Sequence, residues 1–241
     1  MKKIFLNSAL LIILVTFLIL GKTQLCWASI SFEDTFSDDN LDGWEVAAGT
    51  WSIENQELHG VGAGGEIDAW IYAGDKDWVD YVFEAKTIFI NGNAEFVFRS
   101  TEHFLNEYRL TLFSENSLYS PNTYVIGKYQ DGVYYSLSAH PSGGEVSPVA
   151  ITDITDTKIR IFDDTISIFL NGEKIFEHQD SDPLENGRIG LGAIWTLQAN
   201  FDNVVVSNAT VVPEPCSFML FGFGFAGIAA FKRRRTFFKT R

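Results

Sequence analysis

Between Ser29 and Val212 the sequence predicts an all-β fold: two antiparallel sheets stacked as a jelly-roll sandwich, with an N-terminal signal helix before it and a C-terminal transmembrane helix after it. Two observations carry the β assignment. No long segment of that span repeats its apolar residues every 3.6 positions; short β-rich runs alternate with turn residues instead. Three of those turns are Asn-Gly or Asp-Gly, dipeptides that accept the positive φ of a type I′ hairpin turn.

The chain opens with Lys2 and Lys3, then an apolar run from Ile4 to Leu20, then Cys26-Trp27-Ala28 with a small residue at the cleavage position. This is the layout of a signal peptide, residues 1–28, with cleavage expected after Ala28. The run is long for a signal peptide, so an uncleaved anchor helix is the alternative. Thr23-Gln24-Leu25 before Cys26 lacks the small residues of a lipoprotein signal.

In the following span, Thr165-Ile166-Ser167-Ile168-Phe169-Leu170, Asn171-Gly172 and Glu173-Lys174-Ile175-Phe176 form the clearest hairpin. Asn91-Gly92 is expected to join strands over 81–90 and 94–99 in the same way, and Asp131-Gly132 to join 124–129 and 133–137. Further strands are expected over 51–53, 57–59, 67–72, 108–113, 158–162, 188–193 and 199–206. About twelve short strands in one domain suggest two stacked sheets. The domain is placed at 29–207, with a short linker at 208–212.

Residues 213–241 read differently. Pro213-Glu214-Pro215 is followed by sixteen residues without a charge, Cys216 to Phe231, and then by Lys232-Arg233-Arg234-Arg235. Sixteen residues rise about 24 Å as a helix, slightly short of a comfortable membrane span. The basic cluster belongs on the cytoplasmic side, with 236–241 as a cytoplasmic tail. An ordinary membrane anchor is the plainer reading, but it leaves Pro-Glu-Pro unexplained. The whole arrangement over 213–235 resembles the PEP-CTERM sorting signal of Gram-negative bacteria. That resemblance implies recognition by an exosortase-type processing enzyme, transient residence in the inner membrane after signal peptidase has acted, and delivery to the cell surface or an extracellular polysaccharide matrix.

Both cysteines, Cys26 and Cys216, lie outside the domain, so packing must hold it without a disulfide. Nine basic residues face 30 acidic ones between Ser29 and Val212, an excess of 21 negative charges. Such a surface repels nucleic acid and anionic lipid, and suits a cation binder or a partner of neutral sugars.

The landmarks also come in a telling order. Phe32-Glu33-Asp34-Thr35-Phe36 and Gly43-Trp44 precede Gly49-Thr50-Trp51-Ser52-Ile53-Glu54-Asn55-Gln56-Glu57-Leu58. Phe96-Val97-Phe98-Arg99 and Tyr108-Arg109-Leu110 follow. Ile168-Phe169-Leu170-Asn171-Gly172, Gly187-Arg188-Ile189-Gly190-Leu191 and Phe201-Asp202-Asn203-Val204 close the series. It resembles the concanavalin A-like lectin/glucanase jelly rolls, particularly the laminin-G-like group that includes the 3-keto-disaccharide hydrolase type. The resemblance implies the fold and a tendency towards glycans; an activity has to be argued from a site. Jelly rolls of this kind often tie their first strand to their last through a structural Ca2+, and Asp34 and Asp202 occupy the matching places. The alternative is that Asp202 caps a turn and Asp34 is a solvated edge charge. Asp38-Asp39-Asn40-Leu41-Asp42 lacks the glycine and distal glutamate of a calcium loop and reads as a solvated turn.

Catalytic motifs are thin. Glu66 and Asp68 fit the alternating carboxylates of a glucanase strand, but position 70 is Trp where the acid/base would stand. His59, His103, His140 and His178 are scattered without ligand spacing. Sugar binding instead needs flat rings beside hydrogen-bonding side chains. Alternation places Glu95, Val97 and Arg99 opposite Phe96 and Phe98, and Arg109 and Thr111 opposite Tyr108 and Leu110. If those strands are neighbours, Glu95, Arg99 and Arg109 form a polar floor with Trp195 on its rim. Of Tyr134 and Tyr135 one must point outward, and Tyr135 is taken as the ligand-facing ring. The plainer reading is a solvated face with weak cross-strand ion pairs.

These observations lead to an exported, non-catalytic protein that binds or structures an exopolysaccharide layer. The alternative is a secreted hydrolase or lyase using a carboxylate on the concave face, and adhesion to a protein partner is a third reading.

Overall fold

In the computed structural model, the described residues are 30–62, 68–90, 93–118, 120–138, 144–194 and 198–209. The signal peptide and the 213–241 segment, with their two expected helices, lie outside them. Residues Ala28–Ala209 form one compact unit. Sixteen strands appear in it, all in antiparallel pairs, and no helix is found among the described residues.

One sheet runs in the order β14 (Glu173–Gln179), β13 (Thr165–Leu170), β12 (Ile154–Phe162), β6 (Tyr81–Phe89), β16 (Gln198–Asn208), β4 (Glu57–Val61), β3 (Thr50–Glu54), with β1 (Ile30–Asp34) also on β16. The other runs β10 (Val133–Ser136), β9 (Thr123–Gln130), β8 (Asn106–Phe113), β7 (Asn93–Glu102), β15 (Arg188–Ala193), β5 (Ala69–Ala73), β2 (Trp44–Ala48), with β11 (Glu145–Val146) on β9. Period-two alternation turns one row of each strand inward. Phe83, Ile159, Ile168 and Phe201 of the first sheet meet Phe96, Leu110, Ile126 and Leu191 of the second in a single core. The expected two-sheet antiparallel sandwich is therefore present.

The turns explain most of the strand order. Asn171-Gly172 and Asp131-Gly132 have positive φ at both residues (51° and 82°, 51° and 77°) and close β13–β14 and β9–β10 as tight hairpins. Asn55-Gln56 achieves the same geometry between β3 and β4 (55° and 64°) without a glycine. The hairpin expected at Asn91-Gly92 is not one. The turn itself lies outside the described residues, but the strands it links belong to different sheets. Both edges of β6 are already taken by β12 and β16, so β7 crosses the sandwich, and Phe83 meets Phe96 across the core at 5.6 Å between centroids.

Candidate functional site

The outer face of the second sheet, turned away from the core, collects the chemistry. β8 sends Tyr108, Leu110 and Leu112 inward and Glu107, Arg109 and Thr111 outward; β7 does the same with Phe96 against Glu95 and Val97. Trp70 and Tyr72 of β5 join Val97 and Ile194 in a small cluster on this outer side. Two glycines of β15 make room for them. A Cβ on Gly192 would stand 2.5 Å from the Trp70 ring, and one on Gly190 would stand 2.8 Å from Tyr72, so both rings lie flat across that strand. Gly127 of β9 similarly seats the ring of Tyr134.

Arg109 sits at the centre. Its guanidinium carbon lies 3.8 Å from the Phe104 ring centroid, 4.3 Å from Trp70 and 4.9 Å from Tyr129. Nε donates to Glu107 Oε1 at 2.7 Å, Nη2 donates to the same oxygen, and Nη1 lies 3.8 Å from Glu95 Oε2. The other Glu107 oxygen accepts from Tyr72 Oη and Ser100 Oγ, both at 3.1 Å. Tyr72 Oη also hydrogen-bonds with His103 Nδ1. Burial alone would raise the Glu107 carboxyl, but the hydrogen bonds and charges of His103 and Arg109 outweigh it and hold the group below the usual carboxylate value.

Glu95 is treated in the opposite way. Thr111 Oγ1 donates to its Oε1 at 2.7 Å, while Oε2 accepts no hydrogen bond. Burial pushes this carboxyl up to about 7, helped by the negative charges of Asp68 and Glu107 and opposed by Arg109 and Thr111. Two positions along β7, the fully buried Asn93 leaves both its amide oxygen and nitrogen without a partner. Buried polar atoms are nearly always satisfied, so three such atoms along one strand make it a candidate place for water or a ligand. Further along the same face two rings reach solvent, Phe104 at 39% exposure and Tyr134 at 42%, with Tyr129 between them 5.5 Å and 5.2 Å away. Phe104 holds φ at +59°, a costly backbone state for a bulky side chain, at the tip of the β7–β8 hairpin.

Of the residues expected from the sequence, Glu95 and Arg109 do share this face. Arg99 does not. β7 carries one extra residue there: Val97 faces Gly190 and Ser100 faces Arg188, so Phe98 and Arg99 together oppose one residue of β15. Arg99 takes φ +47° and Ser100 inherits its outward place. The Arg99 guanidinium is buried elsewhere, donating to Leu184 O at 2.7 Å, Val79 O and Asp80. Tyr135 likewise points to the other side of β10, and Tyr134 is the ring on this face. Trp195 and Glu66 lie outside the described residues. Sequence reasoning passed over Tyr72, Phe104, Glu107 and Tyr129, set His103 aside as one of four scattered histidines, and noticed Trp70 as a gap in a catalytic pattern.

Asp34 and Asp202, the residues expected to share a Ca2+, are both engaged by protein groups. Asp34 accepts from Phe36 N–H at 2.7 Å and Trp44 Nε1 at 2.8 Å, and Asp202 pairs with Lys86 at 3.3 Å, a cation that an ion there would have to displace. Among the described residues no group of three or more His, Cys, Asp or Glu side chains is placed to hold a metal.

Residues 31–207 match the family described as the 3-keto-alpha-glucoside-1,2-lyase-like domain. The chain belongs to that family. Residues 211–235 match the PEP-CTERM protein-sorting motif, which implies export, processing by an exosortase and sorting to the cell surface. No curated protein matches the sequence. Solved structures share the fold: the carbohydrate-binding module CBM66 from Bacillus subtilis (TM-score 0.56, 20% identity, 70% of this chain and 98% of that one) and the apo Crh5 transglycosylase (0.56, 14%, 76% and 86%). A galectin-like protein of unknown function from Bacillus subtilis is similar too (0.55, 14%, 75% and 96%). These likenesses span a binding module and an enzyme, so function has to be read from this family member's own site.

Proposed function

We propose that this is a non-catalytic glycan-binding protein of the cell surface or its polysaccharide layer, with the outer face of the second sheet as its binding site. One observation carries the reading: the exposed rings of Phe104 and Tyr134 stand on the same sheet face as Glu95 and Asn93, whose side chains hold buried atoms without a hydrogen-bond partner. Rings stack on the C–H face of a pyranose, and the polar atoms take its hydroxyls. Glu95, protonated up to about pH 7, offers both a donor and an acceptor. The large negative excess of the domain favours neutral over anionic polysaccharide.

The test is a glycan array probed with the full chain in detergent, followed by titration of any hit. Phe104→Ala and Tyr134→Ala should each lower affinity about tenfold or more, as loss of a stacking ring does. Unchanged affinity in both variants would place the site elsewhere.

The raised Glu95 carboxyl also favours a second reading, a glycan-active hydrolase with Glu95 as general acid. Against it, Glu107 spends both oxygens on four hydrogen bonds and has none free to act as base or nucleophile. Release of reducing sugar from an array hit, abolished by Glu95→Gln, would establish this reading over the first.

A further inference from the structure

Tyr135, displaced from the outer face, lines a cavity of ≈ 710 Å³ together with Gln130, Asp131, His178 and Asp182, with Lys128 and Asp180 in its wall. The volume lies within the ~300–1,000 Å³ usual for small-ligand sites. The wall is rigid. Lys128, 5% exposed, donates from Nζ to Asp180 Oδ2 at 2.8 Å and to Asp182 O at 2.6 Å; Tyr108 Oη donates to the same Asp180 oxygen at 2.7 Å. Two of the three ammonium N–H groups thus have protein acceptors, which leaves one without. Gln130 Nε2 donates to Asp182 Oδ2 at 3.0 Å and fixes the rim. Two rings complete the lining: Tyr135, 48% exposed, and His178, stacked on Phe176 with 6.1 Å between centroids.

We infer that this cavity is a second binding site for a neutral oligosaccharide, separate from the outer face and reached from the other side of β10. A flat exposed ring, a buried cation with a spare donor, and carboxylate and amide groups at the rim form the set that a sugar's apolar face and its hydroxyls require. Successive residues of a strand point to opposite sides, so Tyr134 and Tyr135 serve two sites from one short edge strand. A domain with two sugar sites cross-links polysaccharide chains, and avidity for a polymer then exceeds the affinity of either site.

The test titrates the full chain in detergent with laminarin, levan and dextran, comparing the parent with Phe104→Ala, Tyr135→Ala, His178→Ala and the Phe104/Tyr135 double variant. For a polymer that binds, Tyr135→Ala and His178→Ala should each weaken binding about tenfold, and the double variant should lose it. The parent should make that polymer turbid by cross-linking, and each single variant should bind without turbidity. Equal affinity and turbidity in parent, Tyr135→Ala and His178→Ala would overturn the second site while leaving the outer-face reading intact. Loss in Tyr135→Ala with none in Phe104→Ala would support the cavity and remove the outer face. No binding of any of the three polymers overturns the assignment of a neutral glycan to the cavity.

Discussion

The two sheets expose polar residues on their outer faces in the same alternating pattern, yet the faces differ physically. On the first sheet, Lys158 pairs with Glu84 at 3.0 Å with both side chains close to half exposed, and β6 alternates strictly between buried and half-buried positions. On the second, β7 and β8 are buried almost throughout, and the Arg109–Glu107 pair lies under the rings of Trp70, Phe104 and Tyr129. The first face is a solvated surface whose ion pairs contribute little. The second is a polar core laid on the outside of a sheet. A charge in a β-strand is informative only once its cross-strand neighbours are known.

Removing one charge from each face gives the largest contrast. Glu107→Ala strands a buried guanidinium and should destabilise the domain by about 3–5 kcal/mol, whereas Glu84→Ala should cost below about 1 kcal/mol. Denaturant unfolding measures both, and equal losses would erase the distinction.

A smaller effect should appear with pH. Glu95 titrates near 7 when folded and near its ordinary 4.5 when unfolded. Between those values the unfolded chain holds fewer protons, so stability falls as pH rises through that window and levels off above it. Glu107, shifted downward, acts oppositely and only below its ordinary value. In Glu95→Gln the decline in melting temperature between pH 4.5 and 7 should flatten, and a parent-like profile would show that another group carries it.

Calcium should have the least effect. With Asp34 and Asp202 engaged by Trp44 and Lys86, melting in millimolar calcium and in chelator should agree closely. A rise in melting temperature that disappears in Asp202→Ala would establish the shared ion expected between the first and last strands.

Local chemistry made some of this legible in the sequence and hid the rest. Asn171-Gly172 and Asp131-Gly132 gave correct hairpins, because positive φ is a property of those dipeptides themselves. Asn91-Gly92 misled because a turn-forming pair does not say whether the next strand will find a free edge. The face of Glu95 and Arg109 followed from alternation, but the count failed at Arg99, where the bulge falls on a residue without the usual glycine mark. Alternation separated Tyr134 from Tyr135 without saying which ring faced which site. One usable signal went unread: Gly190-Leu191-Gly192 places two glycines on one face of a strand, which is where large rings from a neighbouring strand lie flat.

The C-terminal strand gives the sorting signal a mechanical setting. β16 ends at Asn208, just before the motif at 211–235, and runs between β6 on one side and β4 and β1 on the other. Its ladder with β6 extends from Ala199 to Asn208. A pull applied at Asn208 along the strand axis would load the hydrogen bonds of this central strand together in shear, and would not open them one at a time from an edge. Resistance to such a pull would be set by the rate of unfolding.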